Sequence, residues 1–212
     1  MSIAEKLTAA AENVPLVFAA GRQAEHDAFW DVFQKGGGAG NYCYAFSLGR
    51  FNGDTYNPKY DIICTSSTNA SQYLFFSQSR ITDTKVAIYA NSISANYCFG
   101  SARALKTIRL FSVYETTVLS NTFASCEALE NLTMAGTVGQ NIDLHWSTLL
   151  SKASIESVCG CLSDTSDGMT ASFSLTAVNN AYETESGAAD GSESEEWAAL
   201  VAAKPNWTFS LS

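Results

Sequence analysis

The sequence predicts an α+β chain: a short right-handed solenoid of about four coils, entered from an N-terminal helix and closed by a C-terminal α/β cap. Three observations predict it. Phe75, Phe99 and Phe123 stand 24 residues apart, with apolar residues at matching distances behind each. Ahead of them, apolar side chains recur at a three-four spacing through the opening segment. Behind them, after Trp146, the period stops and helix and alternating-strand patterns take over. The chain thus divides into a helical segment (1–36), the repeats (37–146) and the cap (147–212).

In the opening segment the seam is Ile3, Leu7, Ala10, Val14 and Val17. Gly21, Ala24 and Ala28 continue it with small residues, and Phe29, Trp30 and Phe33 add an aromatic cluster. Pro15 costs a helix interior about 3 kcal/mol unless it opens a new helix, and Asn13 can cap such a start. One rod and a kinked pair both satisfy this pattern. An isolated helix of this length is marginal in water, so either the main domain or copies of the chain must cover the seam. The second choice gives the expectation of a homo-oligomer, a trimer, held through Ser2–Lys35. Gly36-Gly37-Gly38-Ala39-Gly40 then reads as a flexible joint. It lacks the Lys-Ser/Thr of a phosphate loop, and no apolar strand precedes it.

In the repeats, six residues beyond each Phe stand Ile81, Leu105 and Leu129. Nine beyond stand Thr84, Ile108 and Leu132, and eleven beyond stand Val86, Leu110 and Met134. Thr84 is the one departure from apolar character. The last two positions alternate as a short strand with two inward side chains, while the Phe and the first Leu or Ile line the opposite wall. Such a coil has one inward face and needs neighbours to bury it.

Phe123-Ala-Ser-Cys126-Glu-Ala-Leu129-Glu-Asn-Leu132-Thr-Met134 resembles the unit of the BspA-type leucine-rich repeat. Phe99 to Leu110 is similar with Ala102 at the Cys position, Phe75 to Val86 more loosely with Gln78 there, and Tyr42–Phe46 as a degenerate unit. The family's strand-ending Pro is absent. The opening Ile3–Leu7, Ala24–Trp30 and the closing Trp197–Trp207 are similar to repeat proteins encoded by phages and prophages of gut bacteria. The resemblance implies a leucine-rich-repeat-like fold and a non-catalytic recognition or adhesion role. It implies a protein or glycan receptor, and a phage virion or bacterial cell surface as the setting.

In the cap, Ser151–Cys161 reads as a helix with Ile155, Val158 and Leu162 on one side. Asp164 to Gly168 is a turn, and Phe173 and Leu175 alternate as a strand. Ser192-Glu-Ser-Glu195 reads as a capping box opening a helix over Glu193–Ala203, closed by Lys204-Pro205. Trp207 to Leu211 alternates as a final strand.

Composition narrows the partners. Hydrophobic residues make up 46%, enough for a core, while charged residues reach only 16% against about 25% in ordinary domains. A net charge of −9 argues against nucleic acid, whose binding rests on Lys and Arg. No apolar run approaches the ~20 residues of a membrane helix, and the N-terminus carries no signal-peptide pattern. The six cysteines show no disulfide framework and read as reduced and structural.

No residue set calls for a cofactor, a metal or a catalytic role. His26 lies on a charged helix face, and His145 reads as packing within a strand. Cys159-Gly-Cys161 offers two of the four ligands a structural zinc needs. Asp164, Asp167 and Gly168 lack a calcium loop's register. The sequon-like Asn69, Asn131 and Asn206 read as chance. Binding is expected instead on the solvent side of the strands, at Lys85, Arg109 and Thr133, with Thr107 and Asn131 just before them. Two rival readings stand beside it: an architectural piece of a larger assembly, and a cell-wall-glycan hydrolase using Glu115 with Asp143.

Overall fold

The computed structural model describes residues 62–64, 80–90, 95–182 and 194–212, the first three by backbone alone. Within them run β1 (Ile62–Cys64), β2 (Ala87–Ala90), β3 (Thr107–Val113), β4 (Asn131–Gly136), β5 (Ile142–Leu144), α1 (Lys152–Cys161), β6 (Met169–Phe173), α2 (Leu175–Tyr182), α3 (Glu195–Ala202) and β7 (Trp207–Leu211). The expected N-terminal helix, the glycine joint, the Tyr42–Phe46 unit, His26 and Phe75 lie outside the described residues.

This architecture corrects the expected solenoid with its separate cap. The strands form two small parallel sheets, β1-β2-β3-β4 and β5-β6-β7, accompanied by three helices among the described residues. The break falls where a helix takes a strand's place beside β4. Leu132 N donates to Ser154 Oγ at 2.8 Å and Met134 N to Ser157 Oγ at 2.9 Å, while Ser154 Oγ donates to Glu130 O at 3.2 Å. Serines three apart share one helix face, and alternate strand amides point the same way, so the two spacings match. With those buried donors satisfied, the ladder ends at β4.

The 24-residue spacing is a spacing of contacts within the first sheet. Thr107 pairs with Asn131 and Ile108 with Leu132. The rings of Phe99 and Phe123 stack at 5.8 Å, and both stand edge-on to Phe111, at 5.3 and 5.9 Å. Left-handed backbone recurs at the same interval, at Tyr97 and Asn121 and again at Ser101 and Ser125. Thr84, the polar departure, is fully buried: its hydroxyl donates to Val86 O at 3.1 Å and accepts from Arg109 N at 3.0 Å. At the Cys position of its segment, Cys126 is buried and its thiol donates to Phe99 O at 3.2 Å.

One inward position differs from expectation. The register of β3 against β4 shifts between Ile108 and Phe111, so that Phe111, not Leu110, opposes Met134. An extra residue in one strand forms a bulge and pushes two consecutive side chains to the same side. Arg109 and Leu110 both face outward, and Phe111 fills the core at 0% exposure.

One continuous cluster of buried side chains, from Ile81 to Trp207, joins both sheets. β5 precedes residue 146 yet pairs with β6, so that boundary separates strands of one sheet. The C-terminal region departs from the expected strand-helix-strand unit. β6 ends at Phe173, and Leu175 opens α2. The cap of α3 is Ser194, whose hydroxyl accepts from Trp197 N at 3.0 Å, two residues beyond the expected Ser192. His145 lies in the turn after β5, outside any strand.

Candidate functional site

Strands of the first sheet turn alternate side chains away from the core. On that outer side Tyr89, Ala87 and Leu110 form a small apolar cluster of their own. Ala87 pairs with Leu110 and Tyr89 with Ser112, so the cluster follows the ladder. The bulge is what brings Leu110 to it, and it sets Arg109 beside it. The Arg109 guanidinium grips Asp83, with Nε 3.1 Å from both carboxylate oxygens and Nη2 2.5 Å from Oδ2. That hydrogen bonding, with the carboxylate's charge, raises the Arg109 pKa further.

The sequence-expected residues take these places. Arg109 and Thr133 are exposed on β3 and β4; Asn131 is exposed at the first position of β4, and Thr107 half-buried at the first of β3. Lys85 is exposed in the turn ahead of β2, with φ 59°. Its backbone N donates to Asp83 Oδ1 at 2.7 Å, a side-chain turn that steadies left-handed backbone. Asp83 therefore links Lys85 and Arg109, a role sequence reasoning missed because nothing in the spacing of Asp83 marks it.

Where β3 and β4 end, the face runs into an open depression of about 380 Å³, lined by Ser112, Tyr114, Glu115, Thr116, Gly136 and Thr137. Tyr114 is 46% exposed. Gly136 has φ 84°, and a Cβ there would lie 2.0 Å from Val113 O, so the floor admits no side chain. Gly139 leaves room for Glu115: its Cβ would meet Glu115 Cγ at 2.4 Å. The Glu115 carboxylate accepts from Ser163 Oγ at 2.6 Å and Thr165 Oγ1 at 2.8 Å, and these hydroxyls lower its pKa. It is thus held ionised at the rim, a poor general acid and a fixed acceptor. Asp143 has a separate partner in His145, and sits on the second sheet.

No family model, curated protein or solved structure matches this chain.

Among the described residues no group of three or more His, Cys, Asp or Glu could hold a metal ion. Cys126, Cys159 and Cys161 are free thiols. Burial pushes the Cys126 and Cys159 thiols up to about 12 and raises Cys161 as well, which makes them poor nucleophiles. Among the described residues no helix is long and apolar enough to cross a membrane.

Proposed function

We propose that this chain is a non-catalytic recognition module that engages a surface protein through the outer face of its first sheet. The observation that carries the reading is the continuity of that face. Half-buried Ala87 and Leu110, packed on buried Tyr89, are flanked by the Arg109–Asp83 pair, and Ser112 leads from them into the depression beside exposed Tyr114. An apolar centre with a polar rim and an exposed aromatic anchor is the composition that protein contacts favour. The ionised Glu115 adds a fixed acceptor, and strand-borne side chains bind at low ordering cost. The bacterial or virion setting rests on the resemblance of Ile3–Leu7, Ala24–Trp30 and Trp197–Trp207 to repeat proteins encoded by phages and prophages of gut bacteria. Gathering copies through Ser2–Lys35 would give weak single contacts avidity of roughly 10²–10⁴-fold.

A photo-crosslinker placed at Thr133 tests the face, with one at Ala198 on α3 as control, each incubated with envelope preparations of gut bacteria. One discrete protein captured from Thr133 and not from Ala198, and lost on Arg109→Glu or Tyr114→Ala, is the expected result. Equal capture from both positions refutes it. A glycan ligand is a second reading, favoured by a different part of the molecule.

A further inference from the structure

We propose a second site, for an uncharged saccharide ring, on the turn that follows β5. Trp146 is 45% exposed there, whereas Trp197 and Trp207 are 4% and 6% exposed. A single exposed apolar side chain is common and marks nothing by itself. The polar groups beside Trp146 set it apart. The His145 ring packs against the indole with centroids 4.8 Å apart and planes inclined by 44°. Asp143 Oδ1 in turn holds His145 twice, 2.6 Å from Nδ1 and 3.1 Å from the backbone N.

That double hold fixes the ring. In the neutral imidazole Nδ1–H donates to Asp143, which leaves Nε2 as an acceptor. Among the described residues neither Nε2 of His145 nor Oδ2 of Asp143 has a hydrogen-bond partner. Both side chains are part-exposed, at 33% and 48%. The turn that carries them is anchored: Ser147 N donates to Leu144 O at 2.9 Å, and buried Ser147 Oγ donates to Cys126 O at 3.3 Å.

A part-exposed indole with a part-exposed imidazole and carboxylate beside it suits one ligand chemistry. A pyranose lays its C–H face on an aromatic ring and directs hydroxyl donors outward around its rim. The Asp143 carboxylate, on a chain of net charge −9, disfavours an acidic sugar. The ligand class is therefore a neutral hexose or N-acetylhexosamine unit within a glycan. This site shares no residue with the outer face, so each proposal stands or falls alone.

The test titrates the full chain with neutral oligosaccharides of glucose, mannose, galactose and N-acetylglucosamine, four to six units long, followed by tryptophan fluorescence and calorimetry. At least one series should bind saturably. Trp146→Ala should weaken it about tenfold or more, Trp146→Phe severalfold less, and Asp143→Asn about three- to tenfold, as loss of one hydrogen bond does. Unchanged thermal unfolding identifies folded variants, and Asp143→Asn carries the test if Trp146→Ala does not fold. Three results overturn the proposal: no series binding the wild-type chain, binding that survives the substitutions, or tighter binding of sialylated or uronate oligosaccharides. Capture of a protein through Trp146 with no saccharide binding would make the turn a protein contact, and also overturns it.

Discussion

Replacing Ser154 by alanine removes at once the acceptor of the Leu132 amide and a donor to Glu130 O. Leu132 is 2% exposed and Ser154 3%, so water cannot step in. A buried donor left without a partner costs about 1–3 kcal/mol. Alanine returns roughly 0.5 kcal/mol through its better helix propensity. The expected net loss is about 0.5–2.5 kcal/mol, or roughly 1–10 °C in Tm for a chain of this size. Ser157 makes the matching bond to Met134 N from a half-buried position, where water can replace the hydroxyl. Ser157→Ala should therefore stay within about 1 kcal/mol of wild type. Urea unfolding gives the energies, and amide hydrogen exchange gives the site: protection at Leu132 should fall in Ser154→Ala. A Ser154→Ala chain as stable as wild type, with Leu132 still protected, would refute the view that these serines close the edge of the sheet.

Phe99→Ala and Phe123→Ala should each destabilise by about 3–5 kcal/mol in thermal or urea unfolding, because both rings are fully buried in the Phe99–Phe111–Phe123 stack. Gly136→Ala should cost at least about 1–3 kcal/mol, since its φ of 84° and the 2.0 Å approach to Val113 O leave no room for a methyl group; wild-type stability would contradict this. Cys126 and Cys159 should resist thiol reagents in the native chain at pH 8 and react on unfolding. Their raised folded pKa keeps a proton that the unfolded chain releases above about pH 9, so stability should fall as pH rises from there toward 12, read from urea midpoints at each pH. Light scattering should find the full chain oligomeric and one starting at Gly36 monomeric; a monomeric full chain at micromolar concentration removes Ser2–Lys35 as the joining element.

The sequence made some contacts legible and concealed others for definable reasons. Phe99 with Phe123 and Ile108 with Leu132 were readable, as was the burial of Leu105 and Leu129, because equal offsets carried equal side chains into one core. Leu110 misled, since a bulge inserts one residue without changing composition, and Phe111 next to it was equally apolar. Ser154 and Ser157 were invisible: a serine on a helix reads as solvated until the strand that needs its hydroxyl is in view. Ser194 caps α3 because its hydroxyl meets the amide of Trp197, three residues on. The five expected binding residues all precede or occupy strands of the outer face, but Tyr114 and Glu115, which shape the depression beside it, follow a strand end where no periodicity operates. Trp146 could not be told from a core tryptophan, because exposure is a property of neighbours that only the fold supplies.

The successive strands of the first sheet span the same interval with steadily less chain. From the bridge at one end to the paired core residue at the other, β2's segment takes five residue steps from Asp83 to Ile88 and β3 four from Thr107 to Phe111. β4 takes three, from Asn131 to Met134. This confers an uneven tolerance of small deletions. Losing one residue from a regular strand turns every later side chain over, which in β4 would drive Met134 out of the core. Losing Leu110 from β3 would instead bring Phe111 into the alternation that Ile108 begins, leaving the core filled and altering only the outward surface. The first sheet can thus lose half-buried Leu110 from its bulge and keep its interior, so the shape of its outer face can drift by a single-residue step while the fold beneath it holds.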